Sequence, residues 1–93
     1  MTLLSDAEID GRLAAADGWE REGSSIAREW TFADFAEAIA FVNRVAEIAE
    51  AANHHPDILL HGWNKVRLTL STHSQGGLTD ADFELAGQIN RAG

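Results

Sequence analysis

The sequence predicts a single α+β domain in which three helices pack on one face of a four-stranded antiparallel sheet. Three segments repeat apolar residues every three or four positions, as amphipathic helices do, and the segments between them carry strand patterns bounded by turn residues. The resulting order is αββαββα, and strands joined as hairpins form an antiparallel sheet that helices cover on one side. The whole chain, residues 1–93, fits one such domain.

The first helix and the first hairpin are marked by local signals. Ser5-x-x-Glu8 is a capping box, in which the serine oxygen and the glutamate carboxylate bind free amides at a helix start, so a helix is predicted over 4–15. Strands are predicted over 19–22 and 26–32, joined by a Gly-Ser-Ser turn. Arg28 interrupts the apolar face of the second strand, which indicates an edge or a rim position.

The longest predicted helix begins after Asp34-x-x-Glu37, a second capping pattern, and ends near Ala52. Pro56 prevents its continuation, and a residue that precedes proline is pushed to extended geometry. We therefore expect His54 to close the helix and His55 to leave it. The buried face is expected to carry the apolar residues spaced by three and four, which are Phe35, Ile39, Val42, Ala46 and Ala49.

The second half of the sheet is predicted from a short apolar strand over 57–60 and a long alternating strand over 63–72. The inward residues of the long strand are Val66, Leu68 and Leu70. Thr79 is expected to cap a last helix that has Asp82 at its third position. The apolar side of that helix carries Phe83, Ala86 and Ile89.

Composition restricts the classes of function. Seven basic and fifteen acidic side chains give a net charge of −8, and such a field repels nucleic-acid backbones. The chain has no cysteine, which suits a reducing compartment, and it has neither a signal-peptide pattern nor a membrane-length apolar run. We expect a soluble cytoplasmic protein. A chain of this length buries only about 60–65% of its unfolded surface, so a homodimer or homotetramer is expected.

The candidate chemistry lies between residues 50 and 82, which contain all four histidines and the only proline. The His54-His55 pair lies at a helix-to-strand corner and His73 lies at a strand end, so the three imidazoles can converge around one small cleft. Imidazole acts as an acid or a base near neutral pH. Taken singly, the pair would be helix-capping residues and His73 an ordinary strand histidine. A zinc site is not predicted, because adjacent histidines seldom point to one ion and no His-x-x-x-His pairing occurs.

An ordered set of residues in this stretch resembles the pterin-4a-carbinolamine dehydratase family. The set comprises Glu50, His54-His55-Pro56, Trp63-Asn64-Lys65-Val66, Ser71-Thr72-His73, Gly77-Leu78-Thr79 and Asp82. Gly18-Trp19-Glu20 and Phe32-x-x-Phe35 extend the resemblance to about residues 3–91. Trp63 stands where the family often has tyrosine, and the segment before it lacks the family's tyrosine-bearing run. These departures concern pocket detail rather than class.

The resemblance implies a hydro-lyase that removes water from a 4a-hydroxy-tetrahydropterin and releases the quinonoid dihydropterin. The pterin is the substrate, and no cofactor or metal is implied. A general acid must protonate the leaving hydroxyl and a base must take a proton from the neighbouring ring nitrogen, which together contribute about 10²–10⁴-fold in rate. The resemblance implies that His54, His55 and His73 are the active-site histidines. Our hypothesis is that His54 and His73 act as the acids on the leaving hydroxyl and that His55 serves binding and proton exchange.

Other roles that the resemblance implies have plainer alternatives. The predicted substrate-binding residues are Pro56, Thr72, Ser74, Gln75 and Trp19, the backbone of 72–75 meeting the amide-like edge of the pterin. Glu50 and Asp82 are predicted to orient histidines by accepting a ring N–H. Asp82 can equally balance the helix dipole, and Glu50 can be an ordinary solvated helix residue. Trp19 can be a core residue, and His61 is assigned no role.

A second class of function stays open from the sequence. Animal members of the resembled family are also dimerisation partners of a homeodomain transcription factor, so a non-catalytic interaction module is the alternative. The intact histidine set favours the enzyme. The sequence does not choose between cofactor recycling for an aromatic amino acid hydroxylase and other pterin metabolism, nor does it select a pterin side chain.

Overall fold

The computed structural model describes residues 2–92 and confirms the predicted order of three helices and four strands. The two ends of the predicted domain, residues 1 and 93, lie outside this range. The elements are α1 (Asp6–Leu13), β1 (Glu20–Glu22), β2 (Ser25–Thr31), α2 (Phe35–Ala52), β3 (Asp57–His61), β4 (Lys65–Leu70) and α3 (Asp80–Ala92), with a 3₁₀ turn at His73–Gln75. None of the helices within residues 2–92 has the length and apolar character needed to cross a membrane.

One face of the antiparallel sheet forms the core with the helices. The strand order is β1-β2-β4-β3, and the register places Ile26 opposite Leu70 and Trp30 opposite Val66. The predicted inward residues of β4 are fully buried. The helices close this face with Ile9 of α1, with Ala38, Phe41 and Val45 of α2, and with Leu85, Ala86 and Ile89 of α3. The α+β class with helices on one face is therefore confirmed.

The start of α1 shows the predicted capping box. The Ser5 hydroxyl accepts from the Glu8 amide, and the Glu8 carboxylate accepts from the Ser5 amide. The Ser5 amide, with help from the hydroxyl, lowers the pKa of Glu8 below its ordinary value. At α2 the Asp34 side chain likewise accepts from the Glu37 amide. Both helix starts were therefore readable from local sequence.

The buried face of α2 differs from the prediction. Its buried residues are Ala38, Phe41, Val45 and Ala49, whereas Phe35 is 53% exposed and Ile39 is 38% exposed. Only Ala49 was predicted correctly; Val42 is half-buried and Ala46 is exposed. The helix is apolar around most of its circumference, so periodicity alone does not choose a face. The ring of Phe41 decides it, because it packs 4.8 Å from Trp30 and 5.1 Å from Phe32, measured between ring centroids.

Arg28 does not mark an edge strand, because β2 lies between β1 and β4. Its guanidinium lies 4.6 Å from the centroid of the Trp30 ring. Its Nη1 donates to the Asp17 carbonyl at 2.8 Å and to Asn90 Oδ1 at 2.7 Å. Arg28 is half-buried at the rim of the core, where it ties the α1–β1 connection to α3.

The β3–β4 turn lies later in the chain than predicted. β3 continues to His61, which pairs with Lys65, so the turn comprises Gly62, Trp63 and Asn64. Gly62 and Trp63 both have positive φ, 56° and 62°. Trp63 therefore belongs to the turn, where it is 60% exposed, and β4 begins only at Lys65. The strand ends at Leu70, two residues before the predicted end.

Gly18 provides a test of the Arg28 contact. Its φ is 82°, and a Cβ built there would lie 2.5 Å from Arg28 Nε. We expect Gly18→Ala to lower the free energy of unfolding by about 2 kcal/mol or more, because left-handed backbone costs an L-residue about 1–2 kcal/mol and Arg28 must also move. Urea unfolding measures the change.

Gly11→Ala is the matched control, because Gly11 lies inside α1 and a Cβ there meets nothing within 4 Å. Alanine is the better helix former, so this variant should gain about 0.5–1 kcal/mol. A Gly18→Ala protein as stable as the wild type would contradict the packing described for Arg28.

Candidate active site

The end of α2 sets the position of His54. Asn53 adopts the left-handed conformation with φ of 50°, and its amide donates to Glu50 O at 3.2 Å. The His54 amide donates to Ala49 O at 3.2 Å. These two bonds form a Schellman motif, which asparagine tolerates better than most residues. Asn53 rather than His54 thus closes the helix, and His54 projects from a hydrogen-bonded corner.

Asp82 is fully buried and accepts hydrogen bonds on both carboxylate oxygens. Its Oδ1 lies 2.6 Å from His54 Nε2, and its Oδ2 accepts from the Thr72 hydroxyl at 2.8 Å. Oδ2 also accepts from the Thr79 amide at 3.0 Å, as an acid at the third helical position does in a capping box. Asp82 therefore makes both contacts that the sequence suggested, one with its helix start and one with a histidine.

Thr72 brings His73 to the same corner. It follows β4, binds Asp82 through its side chain, and is joined to His73 by a peptide bond. The bridge between Thr72 and Gly77 closes a tight loop, in which His73–Gln75 form a 3₁₀ turn and His73 is exposed. The Asp82 carboxylate therefore contacts His54 directly and contacts Thr72, the residue that precedes His73.

The His55–Glu50 pair is more exposed. The ring Nε2 lies 2.6 Å from Glu50 Oε2, and the two side chains are 58% and 76% exposed. Pro56, which follows, is half-buried. An exposed pair of this kind contributes little to stability, so Glu50 directs the His55 ring only weakly.

The structure limits which backbone groups of residues 72–75 could bind a ligand. The Thr72 amide donates to Gly77 O at 2.8 Å, and its carbonyl accepts from the amides of Gln75 and Gly76, each at 3.0 Å. The amide and the carbonyl of Thr72 are thus both bonded within the loop and do not bind a ligand. Within residues 2–92, the amides of His73 and Ser74 make no hydrogen bond, and the side chains of Ser74 and Gln75 are exposed.

Trp19 lies in the core, where it contacts Asn90 and Trp30. It is 4% exposed, its Nε1 donates to Asn90 Oδ1 at 2.8 Å, and it packs edge-on against Trp30. It precedes β1, and β1 and β3 form opposite edges of the sheet. Because so little of the Trp19 side chain is exposed to a ligand, we interpret Trp19 as a core residue and leave it out of the proposed site.

His61 lies on the face of the sheet opposite to the helices. Leu60 pairs with the buried Val66, so His61, the next residue along β3, points to the other side. Its Nε2 lies 2.6 Å from Glu29 Oε1. The contact separates His61 from the other three histidines and supplies a control position on the same chain.

A surface hollow occurs elsewhere in the fold. It lies between the end of α1 and α3, and its lining is Arg12, Ala15, Ala16, Phe83, Glu84 and Gly87. None of the histidines lines it, whereas the expected cleft was to lie between them. Across residues 2–92, no three His, Cys, Asp or Glu side chains are grouped so that they could hold a metal ion.

The sequence does not predict the contact between the Thr72 and Thr79 hydroxyls at 2.8 Å, beside Asp82. The sequence predicts that Thr72 binds a ligand through its backbone and that Thr79 caps a helix. The available signal was the Thr79-x-x-Asp82 cap, which requires Asp82 to face the segment before α3. Only the tertiary fold brings Thr72 within hydrogen-bonding distance of Thr79 and Asp82.

Known proteins resemble this chain over nearly its whole length. A family model described as Pterin 4 alpha carbinolamine dehydratase matches residues 2–92. A protein of Roseiflexus castenholzii that bears the family's name is 54% identical over 88 residues, which are 95% of this chain and 94% of that protein. One from Trichormus variabilis, named in the same way, is 51% identical over 89 residues, 96% of this chain and 95% of that protein.

Solved structures share the fold. The crystal structure of a transcriptional coactivator/pterin dehydratase from Brucella melitensis matches with a TM-score of 0.91 and 35% identity over 97% of each chain. A pterin dehydratase-like protein described as a RuBisCO assembly factor in the alpha-carboxysome matches with a TM-score of 0.64 and 22% identity, over 78% of this chain and 83% of that chain. The second likeness is one of fold alone. From the family match over 2–92 and relatives more than half identical, the chain belongs to the pterin-4α-carbinolamine dehydratase family.

Proposed function

We propose that this protein is a hydro-lyase that converts a 4a-hydroxy-tetrahydropterin into the quinonoid dihydropterin and water. The observation that carries the proposal is the Asp82 carboxylate, which binds His54 directly and holds the turn that bears His73 through Thr72. These contacts support a site in which His54 and His73 act together, as a reaction that needs both an acid and a base requires. Membership of the family supports a pterin as the substrate.

The reaction moves protons and changes no oxidation state. The C4a–O bond breaks as the lone pair of the adjacent ring nitrogen forms a C=N bond, and that nitrogen then loses its proton. Hydroxide is a poor leaving group near neutral pH, so an imidazolium must protonate the oxygen as it leaves. His54 uses Nε2 for Asp82, which leaves Nδ1 for the substrate. We assign His54 and His73 to the leaving hydroxyl and His55 to binding and proton exchange.

The pterin ring is assigned to the surface between the His54-His55 corner and the loop of His73. The unbonded amides of His73 and Ser74 and the exposed Gln75 side chain supply donors and an acceptor for the flat amide-like edge of the ring. Pro56 supplies an apolar contact at the corner. The mechanism requires no cofactor, because proton transfer by side chains is sufficient for it.

Replacement of single histidines tests the assignment. His54→Ala and His73→Ala should each lower kcat by about 10²–10⁴-fold, because each removes a positioned proton donor. His55→Ala should act mainly on KM. Stopped-flow absorbance with freshly generated 4a-hydroxy-tetrahydropterin measures the rates above the uncatalysed dehydration.

His61→Ala is the matched control, because His61 also pairs with a carboxylate but lies on the opposite face of the sheet. Its activity should equal that of the wild type. If all three site variants keep wild-type rates while folded by circular dichroism, the proposed chemistry is wrong.

We also propose that the chain acts as a homo-oligomer, with a second copy covering the outer face of α2. Phe35 and Ile39 are exposed there, at the four-residue spacing of one helical stripe, and Val42 continues it. Self-association buries this stripe and supplements the small core of a 93-residue chain. The interaction-module alternative and catalysis are compatible on this surface, because the stripe contains none of the histidines.

The mass in solution tests the assembly. Light scattering should give a multiple of the 10.1 kDa chain for the wild type and a smaller multiple for Ile39→Glu, because a buried charge without a partner opposes association. Ala40→Glu adds the same charge at an exposed position that lies about 100° around the helix from Ile39, and it should leave the mass unchanged. A monomeric wild type would remove this proposal and leave the catalytic one intact.

A further inference from the structure

We propose that the Thr72 hydroxyl is a positioning group for His54, acting through Asp82 to hold the imidazole with its proton on Nε2 and Nδ1 toward the substrate. Neither the family resemblance nor the comparisons assign this role to the Thr72 side chain. The kinetic part of the proposal rests on the proposed function, whereas the structural part concerns a proton on a ring nitrogen and stands without it.

The hydrogen bonds around Thr72 run in one direction. A threonine hydroxyl has one proton to donate, and the Thr72 hydroxyl contacts both Asp82 Oδ2 and Thr79 Oγ1 at 2.8 Å. A carboxylate only accepts, so the Thr72 hydroxyl donates its proton to Asp82. Thr72 is 5% exposed and both Thr79 and Asp82 are fully buried, so bulk water does not compete.

This direction fixes the carboxylate and then the ring. Oδ2 accepts from the Thr72 hydroxyl and from the Thr79 amide, two donors on different segments, which hold the carboxylate plane. Oδ1 is thereby aimed at His54 Nε2, 2.6 Å away, and receives its N–H. The neutral ring then carries its proton on Nε2, and Nδ1 is the nitrogen left to exchange protons with a ligand.

The hydroxyl is separable from the rest of Thr72. The loop that carries His73 is held by the Thr72 amide and carbonyl, which valine retains. Thr72→Val therefore removes one donor to Asp82 while it keeps the side-chain shape and the loop, and Thr72→Ser keeps the donor. The two variants distinguish a hydrogen-bonding role from a packing role.

The structural readout is the ¹⁵N spectrum of the His54 ring in the substrate-free protein. The wild type and Thr72→Ser should show the Nε2–H tautomer, and Thr72→Val should show a mixture of tautomers. In activity, Thr72→Val should lose about 10–100-fold in kcat with KM nearly unchanged, the range known for loss of the hydrogen-bond partners that orient metal-binding histidines. Thr72→Ser should recover most of that loss.

Thr69→Val is the matched control, since Thr69 lies on β4, the strand that precedes Thr72, and points to the face of the sheet opposite to the helices. It should change neither the spectrum nor the rate. An Nδ1–H tautomer in the wild type overturns the proposal even if Thr72→Val fails to fold. Equal losses in Thr72→Val and Thr72→Ser overturn it as well. The expected tautomers without dehydratase activity in any variant would support the positioning role and reject the proposed reaction.

Discussion

The burial of one carboxylate is the constraint on which the rest of the site depends. Asp82 has no contact with water and accepts from three segments: the α2–β3 corner, the end of β4 and the residue before α3. A buried charge is tolerated only when its hydrogen-bonding capacity is filled, and a buried polar group that loses its partner costs about 1–3 kcal/mol. Displacement of any one segment would therefore be opposed, and the three are held together.

This constraint serves the fold and the chemistry at once. The Asp82 carboxylate accepts from the amide of Thr79, the residue before α3, which is a helix-capping contact. The same carboxylate contacts the ring of His54. The two roles that the sequence left as alternatives are thus compatible in one residue. His55 and Glu50 differ, because their pair is exposed to solvent and belongs to one helix end. The site combines a fixed imidazole with a more exposed one, as a division between proton transfer and binding would need.

Much of the fold was predictable because its signals are local. The capping box of α1 and the alternation of β4 depend on neighbours in the chain, and both are present. The buried face of α2 was not predictable from the spacing of its apolar residues, because Phe35 and Phe41 both lie on apolar stripes. Packing against Trp30 is what buries Phe41. For the site, the sequence predicted His54, His73 and Asp82, and the structure shows the contact between His54 and Asp82. The sequence did not identify the Thr72–Thr79 contact, which joins loops that only the tertiary fold brings together.

The most direct test of the account is a crystal structure with an unreactive reduced pterin that lacks the 4a-hydroxyl. The account predicts that the ring lies between His54 and His73, with the carbon equivalent to C4a near both imidazoles and the Asp82–His54 contact retained. A ring bound in the hollow lined by Arg12 and Phe83, or one that contacts only one of the two histidines, would contradict it.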